Sequence, residues 1–262
     1  MRRLVRASFV FVFFCHASLL VAAPETKGLR YVEGDRYRAD ITLDVTSTMQ
    51  EKYSLASWRI GFDIIFSVLK EEEVIVGTTE NVSVSASKNG EEVPGKQIRQ
   101  MTSYFAQLEL RFPIDQDGKV KIGMFSEDNI HPYKQALIRC LRPMLPAEQV
   151  KIGESWELND NGRQSSNRRS GSQWSTGVQF SRGQYVGDVP LKYIRSGPRS
   201  PELKVAKLRY CAANVVDSQT LVVYWDRRNE KVLNSTLYRI TSAGVQDRGV
   251  RSTKVFRISK AD

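Results

Sequence analysis

An alternation with period two runs through most of this sequence and restricts it to strands. Tyr37, Ala39, Ile41, Leu43 and Val45 are apolar, while Arg38, Asp40, Thr42 and Asp44 between them are polar. A helix would scatter such residues around its axis; a strand sends them to opposite faces of a sheet. Trp58, Ile60, Phe62 and Ile64 repeat the pattern, and so do Leu108, Leu110, Phe112 and Ile114. Residues 74–76, 82–86, 203–216, 221–225, 232–241 and 253–258 complete the strand candidates. Asn89-Gly90 supplies a turn, and Asp115-Gln116-Asp117-Gly118 predicts a hairpin that returns to Val120. Glu71-Glu72-Glu73 reads as a charged hairpin tip. The predicted class is all-β and mainly antiparallel.

One short helix interrupts the strands, over residues 130–142. Asn129 can cap it, Pro132 suits its first turn, and Tyr133, Leu137, Cys140 and Leu141 recur at helical spacing before Pro143. Two segments resemble each other across it. Gly34-Asp35-Arg36-Tyr37 and Gly153-Glu154-Ser155-Trp156 each join glycine, an acid, a spacer and an aromatic. Later, Ile114-Asp115 before Lys119-Val120 matches Trp225-Asp226 before Lys231-Val232. The order of these matches predicts two similar β halves, a duplicated curved-sheet or half-barrel unit. The expected division is 1–23 as leader, 24–127 as the first half, 128–146 as helix and Pro-containing connector, and 147–262 as the second half. A basic loop insertion falls at 161–173.

Residue counts exclude several chemistries. Of 262 residues two are histidine, and His16 lies in the leader, so only His131 remains for the mature chain. A multi-histidine metal site is therefore excluded, and no Gly-rich phosphate loop, HExxH, CxxC or GxSxG is present. His131 before Pro132 reads as a surface or capping residue. No catalytic residue, metal or cofactor is assigned. Arg2, Arg3 and Arg6 precede an apolar run from Ala7 to Phe14, continued by Leu19 to Ala23. This is the layout of a secretory signal peptide, with an uncleaved N-terminal anchor as the alternative. Export would place Cys140 and Cys211 in an oxidising compartment, where they either pair or remain two separate buried thiols.

The net charge of +10 is concentrated. Between Gly162 and Tyr210 ten Lys or Arg stand against Asp188 and Glu202. Arg163, Arg168, Arg169, Arg182 and Lys192 are the candidate contacts for a polyanion: anionic lipid, glycan or nucleic acid. The plainer reading of the loop is a solvated insertion.

Leu29-Arg30-Tyr31-Val32-Glu33-Gly34-Asp35-Arg36-Tyr37, and Leu145-Pro146-Ala147-Glu148-Gln149-Val150-Lys151-Ile152-Gly153-Glu154-Ser155-Trp156 later, resemble a group of exported β-rich bacterial proteins of unknown function. The group occurs in planctomycete-like and Bacteroidetes-like bacteria, with a Gly-Asp-x-Tyr opening and a Leu-Pro-x-x-x-Val-x-x-Gly-Glu-x-Trp signature. No catalytic residues are established for it, so none carry over. Together these features predict an exported, periplasmic or secreted cell-envelope protein, non-catalytic, binding an apolar ligand or an envelope partner. The alternatives are a carboxylate-dependent hydrolase or lyase acting on polysaccharide, and a polyanion-binding surface protein.

Overall fold

The computed structural model describes residues 28–49, 52–121, 131–146, 150–158, 180, 182–190, 204–213, 217–245 and 248–261. In chain order they form β1 (Arg36–Met49), β2 (Lys52–Leu69), β3 (Val74–Lys88), β4 (Glu91–Glu92), α1 (Gly95–Ala106), β5 (Glu109–Pro113), α2 (Pro132–Leu141), β6 (Ser155–Glu157), β7 (Arg182–Pro190), β8 (Lys204–Ala213), β9 (Asp217–Asp226), β10 (Lys231–Val245) and β11 (Arg248–Lys260). All the strands belong to one antiparallel sheet, ordered β4-β3-β2-β1-β11-β10-β9-β8-β7-β6, with β5 paired to β3. The sheet is not closed into a barrel.

Register explains where the core lies. Successive strands place Phe62, Ala39, Ile258, Ser235, Val223 and Leu208 side by side in one row across the sheet. The next row holds Ile60, Ile41, Phe256, Leu237, Leu221 and Tyr210. Every one of these side chains is buried. Burying a residue such as Phe62 or Phe256 stabilises by about 1.5–3 kcal/mol, so these two rows contribute a large share of the core. The alternate residues Arg38, Asp40, Arg257 and Arg209 face the other way.

Helix α2 covers the inner face at β10 and β11. Ala136, Leu137, Ile138, Cys140 and Leu141 are all buried. At 3.6 residues per turn they span more than half the helix circumference, which a flat sheet would leave partly exposed. Two tyrosines fix the end of α2: the Tyr31 hydroxyl donates to the Leu141 carbonyl, and the Tyr210 hydroxyl donates to the Met144 carbonyl at 3.0 Å. They satisfy carbonyls that a helix terminus and its exit leave without partners.

The predicted helix is present within two residues at each end, but the expectation of a single helix is corrected by α1. Ile98, Met101 and Phe105 have helical spacing there, yet Gly95 opens it and Pro94 brings no capping side chain. Phe105 carries its attachment, with its ring 5.2 Å from Phe62. Asn129 lies outside the described residues. The α2 cap is His131, whose Nδ1 accepts from the Tyr133 N–H at 3.4 Å.

The paired turns have the same bonds. Gly34 N–H donates to the Phe66 carbonyl, Asp35 N–H to Val32, and Phe66 N–H to Asp35; Gly153, Tyr185, Glu154 and Lys151 repeat this set. Each acid also accepts at its side chain, Asp35 from Val32 N–H and Glu154 from Lys151 N–H. Gly34 and Gly153 have φ of +80° and +87°, a region that favours glycine.

Candidate functional site

Above the two apolar rows the inner face changes character. The third row runs Trp58, Leu43, Lys254, Arg239 and Gln219, and the fourth Ala56, Val45, Ser252, Thr241 and Asp217. The first turns of α2 lie over this change, and a crevice of about 10 Å³, room for roughly one water, remains between them. Tyr133, Ala136 and Arg139 line it from the helix; Leu237, Arg239, Lys254 and Phe256 line it from the sheet.

The polar groups here are linked in a chain. Arg139 Nη1 donates to Gln219 Oε1 at 3.1 Å, and Gln219 Nε2 donates to Asp217 at 3.4 Å. Arg239 grips Asp217 through Nε at 3.2 Å and Nη2 at 2.8 Å. Asp217 has 4% of its side chain exposed and Arg239 15%, so this pair is nearly dry. Lys254 sits 5.7 Å over the Tyr133 ring. Burial and the Arg239 charge push its ammonium below the ordinary value of 10.5, against the pull of Asp217. Burial, then Lys254, also lowers the His131 imidazole, which favours its neutral form. An aromatic cluster holds the start of α2, with Tyr104 of α1 lying 4.5 Å from His131 and 6.5 Å from Tyr133.

A groove of about 260 Å³ opens on the outer face, lined by Arg38, Asp40, Thr42, Arg59, Gly61 and Ser83 among others. Its arginines bond carboxylates, Arg38 to Asp63 at 3.3 Å and Arg59 to Asp44 at 3.0 Å. Asp40 is the one carboxylate in that lining, and the α2 crevice lining contains none. A glycosidase pair needs two acids at roughly 5–10 Å in one cleft. Neither depression offers that pair among the described residues.

Of the candidate polyanion contacts, Arg163, Arg168, Arg169 and Lys192 lie outside the described residues, as do the leader and the basic loop. Arg182 is exposed at the start of β7, opposite Cys211 in register. Cys140 and Cys211 are not bonded to each other. Cys140 is buried on the packed face of α2, whereas Cys211 is exposed, its neighbour Tyr210 taking the inward position. Burial raises the Cys140 thiol to about 12. In the native protein at pH 8, a maleimide should therefore modify Cys211 within minutes and spare Cys140 until denaturant is added. Peptide mapping reads this directly, and native labelling of Cys140 would contradict the buried placement.

The residues of the crevice escaped sequence reading, although a signal existed. Arg239 and Lys254 occupy positions that continue the inward alternations Ser235-Leu237 and Ile258-Phe256. A cation at an inward strand position is the mark that could have found them.

No known protein family matches the chain, and no curated protein matches it. Among solved structures, it is similar to one described as lipid–protein interactions in lipovitellin, at 10% identity and a TM-score of 0.46. That likeness covers 88% of this chain and 25% of the other, so the chain spans a quarter of lipovitellin's length. A DUF1329 family protein from Desulfovibrio piger aligns at 7% identity and a TM-score of 0.17, covering 86% of this chain and 84% of that one. No helix among the described residues is long and apolar enough to cross a membrane.

Proposed function

We propose that this chain is an exported, non-catalytic binding protein that takes an apolar ligand between α2 and the inner face of the open sheet. The observation that carries this reading is the crevice left under the first turns of α2, directly beside the apolar rows of the inner face. The helix's C-terminal end is held by the Tyr31 and Tyr210 hydroxyls. Its N-terminal end rests on aromatic contacts beside a crevice floored by Leu237 and Phe256. Parting the helix from the sheet at that end would expose the apolar rows of the inner face beside a helix-covered crevice, the kind of place where apolar ligands bind. Export rests on the basic and apolar order of residues 2–23, and the paired Gly-Asp and Gly-Glu turns support both the division into halves and a place among exported β-rich bacterial proteins. The test is titration of the delipidated mature chain with cis-parinaric acid. Saturable one-to-one binding is expected, and the absence of saturation overturns the reading.

A second reading has its own observation. Arg182, Lys207 and Arg209 face outward on adjacent strands, with Gln184 opposite Arg209. These cations support a polyanion surface continuous in sequence with Arg163, Arg168, Arg169 and Lys192, whose binding would weaken steeply with salt.

A further inference from the structure

We infer that the crevice at the N-terminal end of α2 is an oxyanion site, in which Lys254, with Arg139 and Arg239 beside it, receives a carboxylate or phosphate oxygen. The inference rests on the proposed ligand reading and adds to it the chemistry of the ligand's head.

Charge is the first argument. Lys254 and Arg239 stand side by side in the crevice, whose lining contains no carboxylate among the described residues, and the neighbouring Asp217 is gripped through both oxygens by Arg239. Gln219 cannot supply a negative charge; it accepts from Arg139 and donates to Asp217. His131 at the same end of α2 is neutral when deprotonated and adds no anion. Lys254 makes no hydrogen bond or ion pair with any described residue, its one close partner being the face of the Tyr133 ring. A half-buried ammonium with no hydrogen-bonded partner among the described residues is costly, and an incoming anion reduces that cost.

Position is the second argument. Lys254 lies one row above Phe256, and Arg239 one row above Leu237, so the cations form a rim over apolar residues. That order suits a molecule with an acidic head and an apolar body. The crevice admits about one oxygen-sized group as it stands, which fits the tip of a head rather than a chain.

The test compares dodecanoic acid, dodecanol and inorganic phosphate on the mature chain, in wild type and in Lys254→Met. Methionine keeps the length and removes the charge, and Lys254→Gln serves as a second variant should Lys254→Met not fold. Wild type is expected to bind the acid about tenfold tighter than the alcohol, in the range of one charge-assisted hydrogen bond. In the Lys254 variant that ratio should fall close to one. Equal binding of acid and alcohol by wild type overturns the oxyanion site and leaves the apolar reading standing. Binding of neither overturns the apolar reading. In that case a phosphate-dependent rise in thermal midpoint, lost in Lys254→Met, supports the site with a free oxyanion as its ligand. No phosphate effect overturns the site as well.

Discussion

Asp35→Ala is expected to destabilise the protein by about 3–5 kcal/mol, whereas Glu154→Ala, at the matching turn, should cost about 1 kcal/mol. The two acids sit in turns with the same backbone bonds, so the contrast isolates what surrounds the side chain. Asp35 is buried with 6% of its side chain exposed, and it receives Lys231 Nζ at 2.8 Å and Lys260 Nζ at 2.9 Å. These lysines belong to the start of β10 and the end of β11, so one carboxylate ties three strands. Burial alone would raise its pKa, but the bonds from Lys231, Val32 N–H and Lys260 outweigh burial and hold it below 3.8. A lowered carboxylate stabilises above its unfolded value, and that contribution disappears as pH falls through the folded one. Removing Asp35 leaves two half-buried ammoniums without their shared partner. Glu154 is exposed and gives up only a bond from Lys151 N–H at 2.8 Å. Urea midpoints read the difference; equal costs would show that the lysines contribute nothing beyond the turn.

The comparison also separates what the sequence made legible from what it did not. Strand character was open to reading because alternation is local, as in Tyr37 to Val45, and the paired turns were open because glycine and an acid mark them. Helix α1 was not, since Gly95 and Pro94 lack the side-chain signals by which a helix start is recognised. The salt links of Asp35 span 196 and 225 residues, separations at which no motif spacing applies. The crevice is hidden for a related reason. Leu43, Lys254, Arg239 and Gln219 share one row only because four strands pair in a particular register, and register is a tertiary fact. The net charge pointed toward residues 162–210 and the loop at 161–173, because ten cations stand there against two acids. The structural cluster instead comes from single cations on α2, β10 and β11, each unremarked in its own segment.

Tyr104→Ala should raise the apparent affinity for an apolar probe by about thirtyfold while lowering the thermal midpoint. Tyr104 belongs to α1 and does not line the crevice, so its loss removes no ligand contact. It does remove two ring contacts that hold the first residues of α2, to His131 at 4.5 Å and Tyr133 at 6.5 Å. Aromatic pairs contribute about 0.5–1.5 kcal/mol each, so the closed arrangement would lose about 2 kcal/mol. If the ligand needs α2 parted from the sheet, apparent affinity is the intrinsic affinity multiplied by the fraction parted. Weakening the closed state by about 2 kcal/mol then raises that fraction by about thirtyfold, as long as it starts small. A fixed helix predicts the opposite sign, because a looser crevice would be less well formed for its ligand. Parallel titrations of wild type and Tyr104→Ala with cis-parinaric acid decide between them. Unchanged or weaker binding by the variant would mean that α2 does not move, and that any ligand must sit in the crevice as it stands.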